Sequence, residues 1–363
     1  MPNTFLTPKI IAREALMVLE SQLTMANLVH RDYSNEFVQV GDTITVRKPA
    51  KFVAKNFVGS THGQDISEGS VDVKMDRFRD VTVNVTSKEL TLDIKDFSEQ
   101  VVTPALSAIA QAIDMDLLAV GIEQAGKTAS VSSTPKLEDI AGVGKALDMS
   151  KAPLQNRRLV LPAEIRYKYN TLDNFAKQCY AGDSRALRDA EIGKVYTCDT
   201  FASENCPHSA ATTPGNVTSY KVTGTKDSMQ FTISDGTAAT GKIAKGDQLI
   251  VNGYCYTVTE DLTLASGSGT LKVDQNIPAD VNAAQAKVIN KAHALGFHRN
   301  GIALVTRQLE LPMGASKAYI ASANGLAVRV VMDYNSTTKT DSISFDIIYG
   351  IKELDKDLLV DFS

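Results

Sequence analysis

The sequence predicts an α+β protein in which a small all-β barrel domain interrupts a mixed α/β lobe. Three observations carry that expectation. One long segment, DIKDFSEQVVTPALSAIAQAIDMDLLAVGIEQAGK, repeats its apolar residues at steps of three and four, the mark of a helix. Strand-like stretches on either side of residues 51–70 enclose a long polar excursion. Near Cys206 the texture turns to Thr, Ser, Gly and short alternating runs, and near Ala292 it turns back.

The elements follow in chain order. In TPKIIAREALMVLES, Thr7 can cap a helix and Pro8 occupies its first position, where a missing N–H costs nothing. Ile11, Ala15, Val18 and Leu19 form its apolar face. In VGDTITVRKP, Gly41 and Asp42 turn the chain into a strand that Pro49 ends. KMDRFRDVTVNVTSKEL alternates, with Val81, Val83 and Val85 on one face and Asp80, Thr82, Asn84 and Thr86 on the other. Strand, polar excursion and strand predict a protruding hairpin, which cannot bury both faces on its own body and so requires a partner.

The long helix is expected to kink or restart at Thr103-Pro104, to present Leu106, Ile109, Ile113, Leu117 and Val120 on one side, and to stop at Gly126. From Ala105 to Ala125 it would run about 30 Å. Residues 136–201 read as α/β: KLEDIAGVGKALDMS as a helix facing inward through Leu137, Ile140 and Leu147, RRLVLPAEIRYKYN as a strand joined to a helix at Pro162, and KVYTCDTF as a strand. In the β-rich stretch, SMQFTI, QLIVNGYCYTV and TLKV are strands, and Asn252-Gly253 is a two-residue hairpin turn. GFHRNGIALVTRQLELP resumes the lobe, with Ile302 and Leu304 on one face of a strand and Ala303 and Val305 on the other, both covered. Phe297 anchors its entry and Pro312 closes it. LAVRVVMDY, SISFDIIYG and LLVDF end the chain as three strands, the first two joined by NSTTKTD.

Length and composition bound the function. The 363 residues suggest about two to three domains. With 43% hydrophobic and 22% charged residues the chain is ordinary for a globular protein. Lys plus Arg number 38 against 42 acidic residues, a net charge of −4, which argues against a dedicated nucleic-acid binder. Cys179, Cys198, Cys206 and Cys255 are widely spaced, without a CxxC. With no signal-like N-terminal segment they read as reduced thiols in a cytoplasmic compartment. No window reads as a membrane span.

No catalytic constellation emerges. Cys198, Cys206, His208 and Cys255 are zinc-type ligands, but their spacing is loose. There is no G-x-S-x-G nucleophile elbow, and Gly267–Gly269 lies in a hairpin-like loop. IAGVGKAL lacks the full phosphate-loop pattern, and Gly142 and Gly144 read as helix-packing residues. Asp114 and Asp116, two apart on a helix, point in different directions. Glu353, Asp355 and Asp357 read as a solvated strand or turn. His293, His298 and Arg299 find no nucleophile or carboxylate pair to work with and read as framework and interface.

The order of these pieces resembles the major capsid (coat) proteins of tailed bacteriophages, in the podovirus-like subgroup that carries an inserted β-barrel domain. Gly41–Pro49, Thr91–Leu118 and Gly296–Pro312 carry the likeness most specifically. The resemblance implies the capsid fold shared by tailed phages and herpesviruses: an N-terminal arm (1–40), an extended hairpin loop with peripheral-domain strands (41–90) and the spine helix (91–135). It further implies an axial domain in two parts (136–204 and 292–325) around the insertion (205–291), and C-terminal strands (326–363) completing the peripheral and axial sheets. It implies a non-enzymatic subunit without cofactor or metal, self-assembling through pentamers and hexamers into the icosahedral shell of a virion. Its partners would be a scaffolding protein, a portal and packaged double-stranded DNA held by weak non-specific contact, with no membrane. Lys51, Lys55, Phe57, His62, Asp65, Glu68, Arg77 and Arg79, on the extended loop and its return, are the expected inter-subunit contacts. The alternatives are an encapsulin-like bacterial protein cage and a metal-dependent hydrolase with a β accessory domain.

Overall fold

The computed structural model describes residues 8–31, 43–47, 56, 70–86, 101–176, 192–213, 215–217, 219–234, 241–264, 268–312, 317–323, 326–335, 337 and 340–363. The protein is α+β and divides into two compact units. The first gathers 1–22, 30–109 and 303–354; the second gathers 23–29, 110–302 and 355–363.

In the first unit, α1 (Pro8–Gln22) buries Ile11, Ala12, Ala15, Leu16 and Leu19 against β18 (Lys317–Ala323) and β19 (Leu326–Asn335). Thr7, the expected cap, lies outside the described residues. A sheet runs β17 (Ile302–Arg307), β20 (Thr340–Glu353), β19, β18, and β3 (Arg77–Thr86) also pairs with β20. The β19–β20 hairpin closes at Asn335↔Thr340, where the sequence placed its polar loop. β1 (Thr43–Arg47) pairs antiparallel with β2 (Ser70–Lys74), from Thr43↔Lys74 to Arg47↔Ser70. The strand returning from the excursion is therefore SVDVK. The alternating Val81–Val85 strand instead joins the C-terminal sheet through Val81↔Phe345 and Val83↔Ile343. Alternation identifies a strand but not its neighbour, which explains the misassignment.

The long helix, α2 (Thr103–Glu123), starts at the Thr-Pro pair. Leu106, Ile109, Ile113, Leu117 and Val120 are buried as expected, but the helix is not one-sided: every residue from Asp116 to Ile122 is buried. The run LLAVGI is apolar all round, which is the pattern of a helix enclosed on every side. A Cβ on Gly121 would lie 2.4 Å from the Leu295 side chain, so only glycine admits β16 (Ala294–His298) this closely. By length and composition α2 could cross a membrane, which the sequence reading did not foresee; most of it is packed inside the protein.

The second unit holds a mixed six-stranded sheet, ordered β4 (Lys127–Ala129), β21 (Leu359–Phe362), β16, β5 (Arg157–Leu161), β7 (Cys198–Ala202), β6 (Lys194–Val195). α3 (Leu137–Met149) and α4 (Ala163–Asn170) pack on it through Ile140, Val143, Leu147, Ile165 and Tyr169, against Leu159, Leu161, Ala294, Val360 and Phe362. KVYTCDTF is two strands rather than one, because Tyr196 and Thr197 take positive φ and turn the chain back. GFHRNGIALVTRQLELP is likewise two strands, β16 and β17, in different sheets, separated by a 3-10 turn at Arg299–Gly301. β17 ends at Arg307, short of Pro312, with Ile302, Ala303, Leu304 and Val305 all buried.

Between Ser219 and Ile289 the described chain is antiparallel strand. One sheet runs β12 (Tyr254–Thr257), β11 (Gln248–Val251), β15 (Val281–Ile289), β8 (Ser219–Gly224), β9 (Gln230–Ser234), β14 (Ser268–Lys272). A two-stranded ladder pairs β10 (Gly241–Ile243) with β13 (Leu262–Leu264). Both contribute to one core around Tyr220, Phe231, Ile243, Leu249, Tyr256, Leu264 and Leu271. Asn252 and Gly253 have φ of 52° and 77° and join β11 to β12, as the two-residue signal requires. The chain enters and leaves this region side by side, since the His293 N–H donates to Pro207 O at 3.0 Å.

Candidate functional site

The feature that the sequence singled out for function is the hairpin begun by β1 and β2. Its root is held through one face: Val73 is buried with Met75, Ala303, Val305 and Leu354, with Val71 and Ile348 packed beside them. A Cβ on Gly350 would sit 2.4 Å from Lys74 O, so the absence of a side chain at 350 is what lets β2 lie on β20. Ser70, Asp72 and Lys74 on the other face are exposed. Lys51, Lys55, Phe57, His62, Asp65 and Glu68 lie outside the described residues. Arg77 is 5% exposed, so most of its surface is spent within its own unit. Arg79 is half-buried, and its Nε donates to Tyr349 Oη at 3.4 Å.

The residues that first suggest chemistry are bound into the framework. His298 is buried at the end of β16, and its Nδ1 accepts from the Asn300 N–H at 3.2 Å, capping the 3-10 turn. Burial, with the charges of Arg157 and Arg158, holds its pKa below the ordinary histidine value, so the ring is neutral at pH 7. The Arg299 N–H donates to Asn156 O. Cys198, Cys206 and Cys255 are buried free thiols; burial raises all three, Cys255 to about 12. His208 turns its Nδ1 to Cys206 O at 3.0 Å. Among the described residues no group of three or more His, Cys, Asp or Glu is placed to hold a metal ion. Asp355 caps the short turn Lys356–Leu358 by accepting from the Asp357 N–H. Gly144 in α3 approaches Tyr196 O, whereas Gly142 has ordinary space around it.

Several buried charged residues make internal ties that the sequence reading did not find. Asp114, fully buried in α2, accepts from the N–H groups of Thr24 at 2.9 Å, Met25 at 3.0 Å and Ala26 at 3.4 Å. Burial outweighs those bonds and pushes its carboxyl up to about 6. Arg157, 1% exposed, donates to Ala152 O, Pro153 O and Thr197 Oγ1 and pairs with Asp148. It ties together a corner where Lys151, Asn156, Tyr196 and Thr197 all hold positive φ. Asp247 gathers Ser209 Oγ and the N–H groups of Gly215 and Ala244. Asp361 meets both His293 and Lys287. None belongs to a recognised motif, so no spacing announces its ties.

No family model matches the chain, and no curated protein matches it. Solved structures do. A chain of Mycobacterium phage Che8 superposes with a TM-score of 0.54 at 16% identity, covering 94% of this chain and 91% of that one. A chain from the capsid structure of the cyanophage P-SCSP1u gives 0.50 at 11% identity, covering 90% and 84%. The chain therefore shares its fold with these two phage chains, one of them from a capsid structure, over most of the length of each. At these identities the likeness is one of fold.

Proposed function

We propose that this chain is a major capsid protein, which self-assembles into the icosahedral shell of a tailed bacteriophage around double-stranded DNA. The observation that supports it is a fold shared with two phage chains, one of them from a capsid structure, over about nine-tenths of this chain and most of its counterpart. The rest of the molecule is consistent with it. Among the described residues, the buried acidic side chains Asp114, Asp247 and Asp361 and the histidines His293 and His298 serve as caps and internal ties, and β2 packs on its unit through the face of Val71 and Val73.

In this reading the arm is 1–40, the extended loop 41–90 and the spine 91–135. The axial domain is 136–204 with 292–325, the inserted β-barrel is 205–291, and strands 326–363 complete the sheets. Lys51, Lys55, Phe57, His62, Asp65, Glu68 and Arg79 act on neighbouring subunits, with Arg77 shaping the return. The subunit works without cofactor or catalytic centre. It forms pentamers and hexamers in the host cytoplasm on a scaffolding protein, with a portal at one vertex, and ends in the virion. Many modest interfaces sum to a stable shell by multivalency, and the net charge of −4 keeps contact with packaged DNA weak.

Sedimentation of the purified chain, alone and co-expressed with a candidate scaffolding protein, tests the reading. The expected result is a fast-sedimenting population of closed particles or capsomers. A chain that remains monomeric under both conditions overturns it.

A further inference from the structure

One cluster of charged side chains ties together four parts of the second unit that are remote in sequence. Lys287 lies in β15, in register with Ile250 on one side and Ser219 on the other, in the middle of the inserted sheet. Its Nζ reaches Asp361 Oδ2 in the C-terminal strand β21 at 2.5 Å, and Ile122 O at the end of α2 at 3.3 Å. The last carbonyls of a helix lack partners within it, so the ammonium caps α2. The other oxygen of Asp361 lies 2.8 Å from His293 Nδ1; an ionised carboxylate only accepts, so that nitrogen carries the hydrogen. His293 is the residue at which the chain leaves the insertion, bonded through its N–H to Pro207 at the entry. A further tie lies alongside: the N–H of Asn252, in the β11–β12 turn, donates to Glu123 Oε1 at 3.1 Å. The Asp361 side chain is 4% exposed. Burial would raise its pKa, but His293 and Lys287 together hold it below the ordinary carboxylate value. A charge this deep is tolerable only while both partners stay in place.

We infer that Lys287, Asp361 and His293 form an internal latch that makes the inserted β module, the end of α2 and the sheet around β21 a single cooperative folding unit. The insertion is then no tethered appendage. The four residues of β21 are its bolt, and loosening that strand releases the module. This does not rest on the shell reading, and its test needs no particle.

The test is native-state hydrogen exchange on the full chain, comparing amides of β11 and β15 with those of β5 and β16. In the unaltered protein the two sets exchange through one common opening. In Asp361→Asn and in Lys287→Met the β11 and β15 amides exchange at least about tenfold faster than those of β5 and β16. Lys272→Met, which removes only an exposed pair with Glu260 in the same module, leaves the two sets matched. If Asp361→Asn does not fold, Lys287→Met carries the test. Separate openings in the unaltered protein, or matched rates in Lys287→Met, overturn the latch.

Discussion

Asp114 shows what a single buried charge does to the energetics of this fold. Its carboxyl titrates near 6 in the folded state, against about 4 in the unfolded chain. Between those values the folded protein binds the extra proton. The stabilisation from this group is complete below about pH 4 and is lost as pH rises through about 6, to the extent of roughly 3 kcal/mol. Asp361 runs the other way: its pKa is depressed, so its contribution is present above the ordinary carboxylate range and disappears only in stronger acid. Urea unfolding at pH 4.5 and 7.5 should therefore find Asp114→Asn lacking a loss of stability that the unaltered protein shows over that interval. Equal pH dependence in both contradicts the assignment. Arg157 is a second residue-scale test. Replacing it with Ala strands the buried Ala152 carbonyl, frees the part-buried Pro153 carbonyl and unties a corner of four left-handed residues, so a loss of about 3 kcal/mol is expected from denaturant midpoints. Asp114 was noted in the sequence only as one of two carboxylates pointing apart, and the roles of all three residues were not legible there, because burial of a charge depends on what distant segments bring to it.

At the scale of elements, periodicity located most helices and strands, and pairing was where it failed. The helix from Thr103, the Asn252-Gly253 hairpin and the three terminal strands were readable because each is set by local spacing or a local turn. The partner of β1 was not, since SVDVK is only five residues long and offers just Val71 and Val73 on its inward face. The break at Tyr196 and Thr197 was missed because neither residue is a glycine, proline or asparagine, and the break at Arg299–Gly301 because its Asn300-Gly301 pair was read as part of one continuous strand. The tight seat of β2 against Gly350 yields a prediction. Gly350→Ala should cost about 1–3 kcal/mol through overpacking, speeding exchange of the β1 and β2 amides while β18 and β19 stay protected. Unchanged exchange at β1 and β2 would show that the hairpin root does not depend on that contact.

For the whole molecule, the decisive sequence observations were an order of elements and an absence: a polar hairpin with nothing of its own to bury it, followed by a long helix and an interrupted lobe. The described strands and helices follow one another as read, and two phage chains, one from a capsid structure, share the fold over most of their length. Residues proposed as contacts could be named from the sequence only as members of the excursion and its return, because on the proposed function what they touch belongs to another copy of the chain. The central claim is that this protein's partner is itself. Electron cryomicroscopy of particles recovered from cells expressing the chain with a candidate scaffolding protein tests it most directly. The account predicts closed icosahedral shells whose wall is built from this chain, with residues 51–69 of each subunit lying on a neighbour. Recovery of only dispersed monomers, or a shell wall in which 51–69 packs on its own subunit, would contradict it.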